Sequence, residues 1–318
     1  MFNRKITIIG AGSVGSATAY TLALTGIASE IVLLDVNNAK SVGEALDIYH
    51  GTPLMDNPID VYSGDYSAAK DSSIVVITSG YPRKPDQTRL ELTQSNVDVL
   101  KDIAPRITSV CPDATYILVS NPVDVLTYAF IKLTGLPETR VLGTGTLLDT
   151  ARLRSYISRS FGVSQQSVHA YVFGEHGDSS FIPWTISNIS GVDPIQNPTR
   201  IMYKNGIQTP NINCEEIEQH IRTSGAEIIR RKGCTNYAIA TAVHTVCEAL
   251  FNVNSKILMV SSMLNGEYDL HDVCLSIPTL VGNGNVQGHL MPHLSDDEYG
   301  KLLSSERAIR SVLNSLTL

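Results

Sequence analysis

The sequence predicts an α/β protein, a doubly wound parallel sheet followed by a second α/β domain. Three observations predict it. An apolar strand-like run leads straight into Gly10-Ala11-Gly12-Ser13-Val14-Gly15, and a helix-compatible stretch and a second strand ending on an acid follow. Near-continuous apolar strands then alternate with helical segments, as in a parallel sheet covered on both faces. After Trp184 that rhythm gives way to amphipathic helices and longer apolar runs.

Composition sets the outer bounds. A chain of 318 residues holds one large or two moderate domains with a sizeable core. With 43% hydrophobic and 17% charged residues it reads as an ordinary soluble protein. A net charge of -7 argues against nucleic acid as the main partner. The five cysteines (Cys111, Cys214, Cys234, Cys247, Cys274) are dispersed and odd in number, and no CxxC pair occurs. Free thiols in a reducing compartment fit that pattern better than disulfides or a metal site. No apolar run reaches membrane-spanning length, and Met1-Phe2-Asn3-Arg4-Lys5 passes directly into a strand without room for a signal peptide. A cytoplasmic protein with no membrane partner is the expectation.

The first unit is the most specific. Lys5-Ile6-Thr7-Ile8-Ile9 reads as a buried strand, 16–25 as a helix stopped by Gly26, and Ile31-Val32-Leu33-Leu34 as a strand closing on Asp35. GxGxxG here follows a strand, opens a helix, and has an acid twenty residues past its last glycine. Gly10 permits the tight turn, Gly12 lets backbone approach a pyrophosphate, and Gly15 allows close helix–strand packing. The N-terminus of the helix that follows stabilises an anion. Asp35 can accept hydrogen bonds from an adenosine ribose and would repel a 2′-phosphate. Val36-Asn37-Asn38 follow it without an arginine, so NAD is favoured over NADP.

Candidate strands continue at Val61-Tyr62-Ser63, Ile74-Val75-Val76-Ile77-Thr78 and Tyr116-Ile117-Leu118-Val119-Ser120, with a helix over about 89–110. The loop 79–89, with Gly80, two prolines, Arg83, Gln87 and Arg89, leaves the sheet edge where ligands of such folds bind. It reads as a lid over a ligand, or more plainly as a solvated polar loop. Asn121, before Pro122, stands at the same edge, where it either contacts ligand or caps a turn. In Leu148-Asp149-Thr150-Ala151-Arg152, Asp149 and Arg152 share a helical face, a spacing that by itself favours a surface ion pair.

Gly174-Glu175-His176-Gly177-Asp178 follows the β-rich run 168–173. Flanking glycines let the chain turn sharply and let a ligand approach an imidazole able to exchange protons near neutrality. A polar turn is the plainer alternative. Further on, 213–231 and 235–252 read as helices and 257–264 and 273–281 as strands. Ser295-Asp296-Asp297-Glu298 is a capping box opening a last helix toward Leu316. His220, His244, His271, His289 and His293 show no partner spacing and read as structural.

Taken together, GAGSVG (10–15), RKPDQTR (83–89), SNPVD (120–124), LDTAR (148–152) and GEHGD (174–178) resemble the L-lactate/L-malate dehydrogenase family over essentially the whole chain. The resemblance implies a Rossmann-type NAD-binding domain over 1–145, an α/β substrate-binding domain over 146–318, and self-association as a homotetramer or dimer of dimers. It casts His176 as proton donor and acceptor and Asp149 as its orienting partner. It assigns Arg152 to the fork on the substrate carboxylate, Arg89 to polarising the carbonyl, and Asn121 to a hydrogen bond beside it. Gly80 and Asn121 join Gly10, Gly12, Ser13, Val14, Gly15 and Asp35 as expected cofactor contacts, and no metal is expected. Arg154 and His169 resemble the pair that binds fructose 1,6-bisphosphate between subunits of bacterial lactate enzymes; an ordinary subunit contact is the alternative.

The chemistry is coherent on its own terms. Oxidising a secondary alcohol needs a base for the hydroxyl proton and a cofactor for the hydride. A guanidinium fork matches a carboxylate bidentately and fixes the substrate's orientation.

Two features point to opposite substrates within the 2-hydroxy/2-oxo acids. Arg83 stands where the family's malate enzymes carry arginine and its lactate enzymes glutamine. Thr235, in Gly233-Cys234-Thr235-Asn236, resembles the lactate type. An arginine facing a methyl group in a closed site would be an unpaired charge, a penalty of roughly 3–5 kcal/mol. The expectation is therefore L-malate/oxaloacetate on a lactate-type scaffold, with L-lactate/pyruvate the runner-up if Arg83 turns outward. A catalytically idle NAD-binding protein is the remaining alternative.

Overall fold

β1 (Lys5–Ile9) and β2 (Glu30–Leu34) pair in parallel and are joined by α1 (Ser13–Leu24). The computed structural model describes residues 4–81, 88–193, 201–203, 206–208 and 212–318, with the backbone alone for 89, 201–203 and 206–208. Arg83 and Gln87 therefore lie outside the described residues, as does the side chain of Arg89. α1 opens at Ser13, earlier than the expected 16, with Gly12 as its N-cap. Gly15 falls inside the first turn, where an added Cβ would stand 1.8 Å from the Gly10 carbonyl oxygen.

The next elements are α2 (Asn38–Gly51), β3 (Asp60–Ser63), β4 (Ile74–Ile77), α3 (Arg89–Val110), β5 (Thr115–Leu118), α4 (Val123–Thr134), β6 (Val141–Gly143) and α5 (Leu147–Phe161). Three of these were not legible as elements. α2 buries only Ser41, Ala45 and Ile48, so its apolar signal is weak, although the Asn37 side chain caps it. α4 follows Pro122 so closely that it reads as a turn, and β6 is three residues long. The β-rich run 168–173 contributes only β7 (Val168–His169), which pairs with β8 (Asn188–Ile189). Phe173 and Gly174 instead form single bridges to Phe181 and Ser276. β9 (Ile201–Tyr203) and β10 (Gly206–Gln208) form a small antiparallel pair. The chain ends with α6 (Cys214–Lys232), α7 (Tyr237–Phe251), β11 (Lys256–Asn265), β12 (His271–Gly282), β13 (Asn285–His289) and α8 (Asp296–Leu313), the last opened by the Ser295 capping box.

Among the described residues the main sheet has nine strands in the order β13-β12-β11-β6-β5-β4-β1-β2-β3. β1 to β6 are parallel, and the order reverses direction at the β1–β4 neighbours. That reversal opens a crevice at the carboxyl ends of the strands, where such sheets bind ligands. β11 to β13 extend the same sheet antiparallel, joined at Ser261 and Gly143, so one sheet contains strands from both sides of the expected boundary at 145 and 146. Alternate residues serve opposite faces. Ile74 and Val76 pack into the core with α1, α2 and α7, and Val75 and Ile77 into the core with α3 and α4. His289, which showed no partner in the sequence spacing, has its Nδ1 2.7 Å from Glu267 Oε1 and its Nε2 2.8 Å from the Ser262 hydroxyl.

Candidate active site

The crevice is lined by the turns that leave β1, β2, β4, β5 and β6. Gly10 takes φ +108°, a conformation that favours glycine, and a Cβ there would strike Thr78 and Ser79. Gly12 is different: a Cβ built on it would meet nothing within 4 Å. Backbone is thus bared at the mouth of α1, whose first N–H groups have no partners within the helix. Ser13 is exposed there, and Val14 packs partly against the core. Asp35 Oδ2 accepts from the Ala11 N–H at 2.7 Å and Oδ1 from the Asn37 N–H at 2.8 Å. The acid therefore braces the glycine turn and keeps spare lone pairs for hydroxyl donors. These residues fit a dinucleotide: an open cradle at a helix N-terminus, with a half-exposed carboxylate one strand away.

Gly80 is exposed beyond β4, and Asn121 is exposed beyond β5. Asn96 joins the two turns, accepting from the Tyr81 N–H at 2.7 Å and donating to the Asn121 carbonyl at 2.8 Å.

Asp149 lies in the first turn of α5, where the helix dipole favours its charge. Its Oδ2 stands 2.6 Å from His176 Nδ1, and its Oδ1 accepts from Arg152 Nη1 at 2.8 Å. The spacing that suggested a surface ion pair thus belongs to a buried carboxylate that also holds a histidine. Burial acts to raise the Asp149 pKa, but His176 and Arg152 outweigh it and hold the carboxyl below the ordinary range. His176 is raised above the usual imidazole value, chiefly by the Asp149 carboxylate and against its own burial. About a quarter (27%) of the His176 side chain remains exposed, enough for a small molecule to reach it.

Bridges fix the loop that carries His176. Gly174 and Ser276 exchange backbone hydrogen bonds at 2.9 and 3.0 Å, and Gly174 takes φ +89°. The His176 N–H donates to Asp124 Oδ2 at 2.8 Å. Asp124 was not singled out from the sequence, although it ends the SNPVD stretch; only its place at the start of an unrecognised helix would have flagged it. Gly225 of α6 faces Arg152, a Cβ there lying 3.8 Å from Nη2.

Among the described side chains, those of Thr235, Arg154 and His169 are not joined to this network. Thr235 is half-buried in the α6–α7 turn, and Arg89 is the first residue of α3. Arg154 donates through Nε to the Ala170 carbonyl at 3.1 Å and lies over the Tyr171 ring, while His169 is exposed. Among the described residues no group of three or more His, Cys, Asp or Glu could hold a metal ion. No helix among them is long and apolar enough to cross a membrane.

An imidazole whose charged form a carboxylate favours, beside a guanidinium and at the edge of a dinucleotide cradle, can pass a proton to an oxygen whose neighbouring carboxylate is pinned. Comparison with known proteins agrees with this chemistry. Residues 4–143 match the lactate/malate dehydrogenase NAD binding domain, and residues 146–317 match the lactate/malate dehydrogenase alpha/beta C-terminal domain. An L-lactate dehydrogenase of a Thermoanaerobacter species is 43% identical over 99% of both chains. The minor L-lactate dehydrogenase of Enterococcus mundtii, solved with ligands bound, superposes with a TM-score of 0.93 at 33% identity over 100% of both chains. The malate dehydrogenase of Archaeoglobus fulgidus in complex with NADH gives a TM-score of 0.86 at 32% identity over 98% of both chains.

Proposed function

The chain belongs to the lactate/malate dehydrogenase family and is an NAD-dependent dehydrogenase, and from that premise we propose that it interconverts L-lactate and pyruvate. The observation that carries the catalytic reading is the shared carboxylate of Asp149, which couples His176 to Arg152. His176 holds the proton exchanged with the substrate oxygen, and Asp149 fixes its tautomer and favours its charged form. Arg152 grips the substrate carboxylate, Asn121 binds beside the carbonyl, and Arg89 polarises it. Bound NAD supplies or accepts the hydride. Gly10, Gly12, Ser13, Val14, Gly15 and Gly80 receive it, and Asp35 binds its ribose. Residues 1–145 form the cofactor domain and 146–318 the substrate domain.

Lactate is preferred because the relative named above is an L-lactate dehydrogenase at 43% identity over nearly the whole chain. This replaces the malate expectation, which rested on Arg83. Malate remains the second reading because the positive charge of Arg83 suits a second carboxylate. NADH oxidation with pyruvate and with oxaloacetate in parallel tests both: higher kcat/KM for pyruvate supports lactate, and the reverse supports malate. Turnover of neither would mean an idle NAD-binding protein.

The chain also self-associates, as a homotetramer, in this reading. Val42, Leu46 and Tyr49 form an exposed apolar stripe along α2, which supports a contact between copies. Sedimentation equilibrium tests the assembly.

A further inference from the structure

Asp124 is an expensive residue for this fold to carry. It is 1% exposed, and an ionised carboxylate taken out of water is costly unless it is paired or hydrogen-bonded. Its Oδ2 takes the His176 N–H at 2.8 Å. Its Oδ1 makes no well-aligned hydrogen bond among the described residues, and neither does the buried Ser261 hydroxyl beside it. A neutral asparagine could accept the same N–H at lower cost in desolvation, so the charge calls for a reason beyond holding a loop.

We propose that Asp124 is a second carboxylate serving the acid/base centre, a positioning residue that fixes the His176 backbone and biases its imidazole toward the protonated form. The inference rests on His176 being the acid/base. Asp149 reaches the ring from α5, whereas Asp124 reaches the backbone from the first turn of α4. The two carboxylates thus constrain one residue at two points, the ring nitrogen and the main chain. The imidazolium is correspondingly stabilised by Asp124 as well as by Asp149.

The groups facing Asp124 oppose one another. Burial raises its pKa to about 6, with Glu175 adding to the rise, and the Ser261 hydroxyl, the His176 N–H and the His176 charge pull it back. Cys274 on β12 interacts with it electrostatically. Asp124 is therefore ionised across the alkaline range in which His176 gives up its proton, and its charge bears on that limb.

The test is the pH profile of pyruvate reduction by the NADH-loaded enzyme. Asp124→Asn keeps an acceptor for the N–H and removes the charge. Its alkaline limb should move down by about one pH unit, the lower end of what a neighbouring charge does, giving roughly tenfold less activity on that limb. NADH affinity should be unchanged. Asp124→Ser, a smaller uncharged acceptor for the same N–H, should move the alkaline limb in the same direction. An unmoved alkaline limb in Asp124→Asn overturns the inference, and if that variant does not fold, an unmoved alkaline limb in Asp124→Ser overturns it. Retained turnover in His176→Asn would overturn this inference together with the acid/base reading. Lost turnover there with unmoved limbs overturns this inference alone.

Discussion

His176 Nδ1 lies 2.6 Å from Asp149 Oδ2, a contact between a loop and a helix that are 27 residues apart in sequence. It leaves Nε2 as the ring nitrogen for proton exchange and makes the imidazole a stronger base than it would be alone. The same carboxylate orients Arg152, so the proposed proton donor and the proposed carboxylate fork share one anchor.

Replacing His176 with Asn should keep NADH binding while turnover falls by roughly 10²–10⁴, the usual weight of general acid–base catalysis. Stopped-flow NADH binding and steady-state rates measure the two separately. Near-normal turnover in a folded variant would remove His176 from the mechanism.

The raised pKa of His176 sets the direction of the pH dependence. Reduction of the oxo acid consumes the imidazolium proton, so the rate should persist above the ordinary imidazole range and fall only as pH passes the raised value. Asp149→Asn should bring that limb down toward about 6.5. Stability follows the same linkage. His176, raised on folding, contributes fully below its unfolded value and less as pH climbs through its folded one. Asp149, lowered on folding, contributes fully above its unfolded value and less as pH falls. The Tm gap between wild type and Asp149→Asn should therefore be widest between about pH 4 and 6.5. A gap independent of pH would show that the pair is not ionised in the folded protein.

Substitutions at Asp35 can separate its bracing of the glycine turn from its proposed part in cofactor choice. It accepts the Ala11 and Asn37 N–H groups, which brace the glycine turn, and its charge disfavours a 2′-phosphate. Asp35→Asn should keep much of the bracing and narrow the preference for NADH over NADPH by about tenfold or more, the weight of one charged hydrogen bond. Asp35→Ala should also lower Tm. Equal use of both cofactors by wild type would displace Asp35 from this role.

Substrate choice turns on Arg83. Under the lactate reading, wild type prefers pyruvate and Arg83→Gln changes pyruvate and oxaloacetate alike. Under the malate reading, wild type prefers oxaloacetate and the same substitution swings the ratio by roughly a hundredfold, about 3 kcal/mol for one broken buried pair. The ratio of kcat/KM values in the two proteins decides.

Fructose 1,6-bisphosphate should have at most a modest effect on one chain by itself. Arg154 is already engaged by the Ala170 carbonyl and the Tyr171 ring, and His169 stands exposed on β7. A bisphosphate bridging Arg154 and His169 of two copies should activate the enzyme only where copies associate. Activation curves at several protein concentrations test this, and a flat response at all of them removes the effector.

The sequence alone determined the class of the fold and the glycine turn at the crevice, because those depend on local rules. Gly10, Gly12 and Gly15 act within one turn, and β4 announces its burial by being apolar at every position. The capping box at Ser295 is likewise complete within four residues. Two helices escaped it for different reasons: α2 buries few residues, and α4 follows a proline. Tertiary structure alone decided what the acids do. Asp149 and Arg152 read as a surface pair until the fold brought the His176 loop across to the free oxygen of Asp149. Asp124 meant nothing until β11 and that loop closed over it. Local periodicity carries no information about which distant loop will desolvate a charge, and it is desolvation next to a partner that turns these carboxylates into tuning groups.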